Sequence, residues 1–473
     1  MTAPTKLHAL LPAASNKRDG LRARHVAAIA FAMICGGPFG VENCIRTYGA
    51  RCSMIGFFLS FVMNVLPEIA MTAELSLMPP VTNGGVVVWV DRAFGKVAAA
   101  LVALNMVVYQ LADLATFPTL LADYMRPVDA DWGNGLAMGG AYGVVVLGLV
   151  VNSWNMELAT SVYMLMLALI MAPFAAGLAL SVDGWPYAVS ASMGVAPAVE
   201  GASRHWGDLS LFMSTLLWLN TGWDSMGNLA GEVAKPRSLV VGLASAALAC
   251  PAVYVLCTFG ALAAGPGTWD DGYLAEAYGR FWRPLSPAIV AMGGASNFLL
   301  YSTELGCVAR LMQAMADPDL GLRLLPSCLA GRLPGTGAPW AALVAITCFE
   351  LVLVSGLKFD YLVQVSTLLH VFVWWFSIAA FARLRLDAGQ GFERLRLWEV
   401  PWGRLGALAV VCLRAPVLVF FLVCASSVPS VVLGACAGNV GFVVLVIAWA
   451  RCIQGLSVSS LSSEALRQAA ATE

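Results

Sequence analysis

The sequence predicts an all-α polytopic membrane protein of about twelve transmembrane helices, the first and sixth of them broken. Three observations lead there. The 473 residues are 59% hydrophobic and 12% charged, with mean hydropathy +0.78, whereas soluble chains carry about a quarter charged residues. Apolar runs centred near residues 35, 64, 108, 143, 168, 219, 250, 300, 346, 371, 414 and 439 recur from end to end, each of roughly the 20 residues that cross a bilayer. Two of them, the first and the sixth, are interrupted by helix-breaking residues.

The first 24 residues are polar and basic, with no short apolar segment and small-residue cleavage site, so no cleavable signal peptide is expected. A ten-helix core is expected over 25–385, its halves near 25–181 and 208–385. A loop at 386–403, two extra spans within 404–452 and a tail at 453–473 follow. With the N-terminus inside, 19 of the 27 Lys and Arg fall on one side and 7 on the other, Arg414 lying within a span. Basic residues favour the cytoplasmic side, which makes both termini cytoplasmic; the plasma membrane is the expected location, with an internal membrane left open. A net charge of −1 gives no bulk polarity toward nucleic acid. The twelve cysteines are scattered without a CxxC pair, so neither a zinc site nor a disulfide framework is expected.

The breaks come next. Helix 1 contains Gly36-Gly37-Pro38-Phe39-Gly40. Pro38 has no N–H to donate, and its ring clashes with the carbonyl of Ile34; the glycines lower the cost of leaving helical geometry. Helix 6 breaks near Leu219-Asn220-Thr221-Gly222-Trp223. Each break heads a group of five helices, and paired discontinuous helices are the sequence pointer to an inverted-repeat carrier with its site near mid-membrane. Unsatisfied backbone groups at such breaks must face protein, water or ligand.

Seven acids fall in the spans: Glu42, Glu68, Glu74, Asp113, Asp224, Glu304 and Glu350. A carboxylate at the bilayer centre costs at least ~2.5 kcal/mol, and no Lys or Arg lies at comparable depth in helices 1–10. An uncompensated acidic cavity calls for a cation or a proton. Helix 3 carries Asn105, Tyr109 and Asp113 on one face, and helix 8 carries Asn297, Tyr301 and Glu304. Aromatics beside acids suit ammonium groups through cation–π attraction of ~0.5–2 kcal/mol, and Phe39, Trp218 and Trp223 are placed to add to it. Interhelical hydrogen bonding is the plain alternative for either stripe. Glu42 has two readings, a substrate contact or a cap on the half-helix after the break. Glu68 and Glu74 read as structural, and His370 as a core histidine more than a proton carrier. Asp270 and Asp271 fall in an outer loop.

At "GGPFGVEN" the sequence resembles the amino acid–polyamine–organocation superfamily, and within it the plant and protozoan polyamine-uptake branch, relatives of the L-type amino acid transporters. "LPEIAMTAELSLMPPVTNGGVVVWV", "LLWLNTGWDSMGNLAGEVAKP", "TWDDGY" and "FARLRL" followed by Trp398-Glu399-Val400-Pro401 extend the likeness through most of the chain. The resemblance implies a leucine-transporter-type fold of five plus five inverted repeats. It implies proton-coupled uptake of putrescine or spermidine by alternating access. It places Gly36 to Gly40 and Leu219 to Trp223, with Asn220 and Thr221, in the unwound segments, and makes Asp224 the polyamine-facing acid. Asn43, where the branch carries an acid, and Ser366 and His370, where acidic or phenolic side chains are usual, are departures.

The leading expectation is thus a polyamine importer acting by proton symport, with protons, a small cationic substrate and the lipid bilayer as its partners. The rival is a cationic or neutral amino acid transporter or exchanger of the same superfamily, in which the helix 1 N–H groups would hold a carboxylate. An enzyme would need a constellation such as HExxH, which is missing from the sequence; no cofactor, metal or catalytic residue is expected. "DYMRPVDADWGN", between helices 3 and 4, has no cysteine, so no obligate disulfide-linked heavy chain is expected.

Overall fold

The structure, a computed structural model, describes residues 21–78, 81, 84–125, 135–154, 156–199, 206–316, 325–386, 397–424 and 428–454. Most of the two expected tails, most of the 386–403 loop and residues 126–134 of the loop between the third and fourth spans lie outside the described residues.

The fold is helical throughout. In chain order the helices are α1 (Ala23–Ile34), α2 (Glu42–Ser60), α3 (Leu66–Ser76), α4 (Gly85–Phe94), α5 (Lys96–Met125), α6 (Gly135–Asn152), α7 (Met156–Leu180), α8 (Trp185–Ser192) and α9 (Trp206–Trp218). They continue as α10 (Pro236–Leu262), α11 (Tyr273–Gly279), α12 (Leu285–Ala316), α13 (Trp340–Gly356), α14 (Phe359–Leu386), α15 (Gly403–Cys424) and α16 (Ser430–Gln454). Each of the twelve predicted centres falls on a helix or at a break. Among the described residues, seven stretches are long and apolar enough to cross a membrane, and α13 and the half-helices α1 and α9 are shorter apolar helices. At 32 residues α12 is long enough to cross, but it carries Asn297, Tyr301, Glu304 and Arg310 and is buried along most of its length.

The first span is α1, an unwound stretch at 35–41, and the opening turns of α2. Gly49 then kinks the chain at φ +76°, and the rest of α2 begins the second span. That span passes through a π-helical turn, Phe61–Val65, just before Pro67. The wider turn accommodates a residue that cannot donate to the helical ladder. The sixth span is α9, a turn at 219–223, and a 3-10 segment, Asp224–Glu232.

α1 packs on α10 and α12, α5 on α12 and α14, and α9 on α2 and α14. These helices frame the centre of the molecule. The last two stand outside this frame yet touch it, α15 against α3, α9 and α14, and α16 against α5 and α14.

Candidate functional site

Both breaks are built from glycine. Gly36 and Gly40 hold φ of +57° and +87°. A Cβ at Gly36 would stand 2.6 Å from Leu300 Cγ, and one at Gly40 2.8 Å from Trp218 Cζ3. So α12 and α9 press directly against the unwound backbone, which only glycine permits. In the second break Gly222 holds φ +98°.

One hydroxyl serves both breaks. Tyr254 of α10 donates toward the carbonyl of Leu219 at 2.8 Å and lies 3.3 Å from that of Ile34. Ser296 of α12 donates to the Gly36 carbonyl at 3.0 Å. These bonds meet the orphan carbonyls that a broken helix leaves. On the other side of each break, a carboxylate of the chain itself takes a backbone N–H. Glu42 Oε2 accepts from Gly40 at 3.0 Å, and Asp224 Oδ1 accepts from Ser225 at 2.9 Å. Glu42, fully buried, thus stands in the capping position.

Between the breaks lies a cavity lined by Phe39, Tyr109, Asp113, Phe117, Trp218, Thr221, Tyr254, Leu300, Glu304 and His370, among others. Asp113 Oδ1 accepts the Trp218 indole N–H at 2.8 Å, and Glu304 lines the same cavity beside it. Tyr109 stacks on His370 with ring centroids 4.1 Å apart, and His370 stacks on Trp374 at 4.3 Å. Among the described residues, no Lys or Arg lines the cavity.

Of the residues expected from sequence, Phe39, Tyr109, Asp113, Trp218, Thr221 and Glu304 are brought together on this wall. Gly36, Gly37, Pro38 and Gly40 form the unwound backbone behind it. Asn220 turns away, donating to Ser60 and to the Leu216 carbonyl. Trp223 is fully buried, its indole N–H without a hydrogen-bond partner. Tyr301 packs its ring on Gly148 of α6, where a Cβ would lie 2.6 Å from it. Asp224 lies behind the wall, its Oδ2 3.0 Å from His370 Nε2, and His370 is the member of the pair that faces the cavity. Read as a core histidine from sequence, His370 is buried and also lines the cavity. The cue available was its place one helical turn before Trp374.

The acids read as structural have firm partners. Glu68 Oε1 accepts from Trp374 at 3.0 Å, and Oε2 forms an ion pair with Arg414 Nη2 at 2.9 Å, both side chains fully buried. The Arg414 guanidinium also lies over the Trp374 ring, 5.0 Å from its centroid. The expectation that the intramembrane acids go uncompensated is thus corrected for Glu68 and Glu74: the cation of Glu68 comes from α15, outside the ten-helix core, and that of Glu74 is Arg385 in the last turn of α14. Glu74 meets Arg385 at 3.0 Å and the Val400 N–H at 2.7 Å, tying the end of α3 to the end of α14 and the segment after it.

An amino acid permease family model matches residues 26–452. The chain belongs to the amino acid permease family. It is an integral membrane protein. The permease is 28% identical over 397 residues to polyamine transporter RMV1 of Arabidopsis thaliana, covering 82% of this chain and 77% of the relative. It is 28% identical over 401 residues to polyamine transporter PUT1 of Oryza sativa subsp. japonica, covering 80% and 69%. A probable polyamine transporter of Arabidopsis thaliana is 28% identical over 422 residues, covering 84% and 80%.

On the outer face predicted from the charge bias, Arg46 reaches Asp270 at 3.4 Å and bonds to Asn43, which in turn donates to Asp360 at 3.4 Å. Asp271 beside them has one carboxyl oxygen buried without a partner. Burial, with the nearby charge of Glu42, pushes its carboxyl up to about 7, and Arg46 opposes the rise.

Proposed function

We propose that this permease imports polyamines, putrescine or spermidine, into the cytoplasm of the cell by proton symport. The observation that carries the reading is the pair Asp113 and Glu304, two buried carboxyls on one aromatic wall with no Lys or Arg among the lining residues. An ammonium group there meets anionic oxygens and the faces of Tyr109, Trp218 and Phe39, an arrangement that binds cations in other proteins. The names of the three relatives point the same way. Thr221 and the unwound backbone at Gly36, Gly37, Pro38 and Gly40 add polar contacts, and Asp224 acts on the substrate through His370. Transport proceeds by alternating access between two inverted five-helix repeats, in a plasma membrane with both termini inside. The membrane potential drives a dication inward by ~2.3 kcal/mol per charge per 100 mV.

The amino acid reading is disfavoured by a specific feature. A carboxylate substrate needs free N–H groups at a half-helix N-terminus, and here the Gly40 and Ser225 N–H groups are already bonded to Glu42 and Asp224.

The test is a panel of labelled putrescine, spermidine, arginine and leucine in proteoliposomes, with and without an inward proton gradient. Polyamine uptake should exceed that of both amino acids and rise with the gradient. Arginine displacing putrescine better than spermidine does would reverse the substrate assignment.

A further inference from the structure

Glu350 lies outside the cavity and has no part in the reading above. It sits on the buried face of α13, with Leu343, Ile346, Thr347 and Val354, at the spacing a helix presents to its neighbours. The side chain is 0% exposed. Among the described residues, neither carboxyl oxygen has a hydrogen-bond partner, nor has the Thr347 hydroxyl one turn earlier, nor the Tyr301 hydroxyl of α12.

α13 packs on α5, α6, α12 and the short turn Ser327–Ala330. From α5, Asp113 bears electrostatically on Glu350. From α12, Glu304 interacts with Glu350, and both bear on the Tyr301 hydroxyl. α6 contributes Tyr142, bonded to Ser355 at 2.8 Å, and the turn contributes Cys328, which is exposed. No basic side chain forms an ion pair with Glu350 among the described residues. An ionised carboxylate here would have neither counter-charge nor donor, a state that burial opposes and that a bound proton relieves. A leucine would fill the same space without that difficulty, so packing alone gives no reason for an acid here.

We propose that Glu350 is a proton-binding site of the transport cycle, set behind the cation cavity and distinct from it. The proposal rests on the proton-symport reading. With the proton on, the carboxyl is neutral and α13 can close against α12 and α5 as seen here. With the proton off, the carboxylate must be hydrated, so α13 and α12 cannot hold this dry contact. Because α12 also lines the cavity through Leu300 and Glu304, the closed packing around the substrate is available only to the protonated protein. That condition links one proton to each cation carried.

E350Q, which mimics the protonated acid in shape, tests this in the full chain in proteoliposomes. Exchange of labelled for preloaded putrescine should stay within about twofold of wild type. Stimulation by an inward proton gradient, and the lumen acidification that accompanies uptake, should be lost; E350D should recover part of both. Undiminished gradient stimulation in E350Q overturns the proposal. So does a changed preference for spermidine over putrescine with the gradient response intact, which would make Glu350 a substrate contact. A wild-type chain that moves no putrescine refutes the polyamine reading instead. The proton site is then read without substrate, by infrared difference spectroscopy at neutral pH. A carboxylic-acid carbonyl band present in wild type and absent from E350Q supports it, and identical spectra overturn it.

Discussion

Two sets of buried acids lie around α14, and they differ in one respect. Glu68, Glu74 and Asp224 each meet a basic side chain, Arg414, Arg385 and His370 respectively. Asp113, Glu304 and Glu350 meet an indole, one another, or no donor at all. All three basic partners come from α14 and α15, late in the chain. Glu68 and Glu74 tie helices together through their partners, while Asp224 is joined to His370 on the cavity wall. The uncompensated acids occupy the cavity wall and the layer behind it, and in the proposed function a cargo cation or protons answer them.

The paired set can be broken most severely at Arg414. Arg414→Met leaves Glu68 buried without its cation, a change that costs ~3–5 kcal/mol when one partner of a buried pair is removed. A lower thermal unfolding midpoint in detergent should report this, and the double variant E68Q/R414M should recover most of the loss. An unchanged midpoint in R414M would show that Glu68 draws its support elsewhere.

The unpaired set is sharpened at Asp113. Asp113→Asn removes a charged partner worth ~1.5–3 kcal/mol, so putrescine uptake should fall by roughly 10- to 100-fold with surface expression intact. Asp224→Asn acts through His370 and should reduce uptake less. Equal losses in the two would place Asp224 among the cargo-facing acids.

This division was only half legible in the sequence. The spans and both breaks could be read because hydropathy and Gly or Pro signals are local. Asp113 and Glu304 could be picked out because helical periodicity sets them beside aromatics. Arg414 and Glu68 stand in the eleventh and second spans, and nothing local to either announces the other. Tyr301 shows a different limit. It is spaced to share a face with Glu304, yet the missing side chain at Gly148 leaves a hollow into which its ring turns. His370 read as core because the partner that defines it, Asp224, lies beyond a break whose geometry no helical wheel describes.

A smaller effect belongs to Asp271 on the outer side, an acid with one oxygen unpartnered. Its folded value of about 7 lies above the ordinary 3.8. The unfolded chain gives up this proton first as pH rises, so stability falls between about pH 4 and 7 and is greatest below that window. After discounting for partial solvation the change is about 1–2 kcal/mol. Unfolding midpoints taken across that range should slope downward for wild type and flatten in Asp271→Asn. Parallel slopes would show that Asp271 titrates in this packing as it does in the unfolded chain.

The smallest effect is expected at Glu42, the acid that the sequence leaves between a substrate contact and a helix cap. Its carboxylate accepts the Gly40 N–H at the start of the second half-helix, where a charge–dipole contact is worth ~0.3–1 kcal/mol. Glu42→Gln keeps the size and an acceptor oxygen but loses the charge. Uptake should therefore stay within about fivefold of wild type, by the same energy scale. The spermidine-to-putrescine ratio should not change, because the side chain is turned to its own backbone. A loss as deep as that of D113N would move Glu42 from the capped set to the cargo-binding set. It would also reopen the case for a carboxylate substrate, since the N–H it covers is the group such a substrate would need.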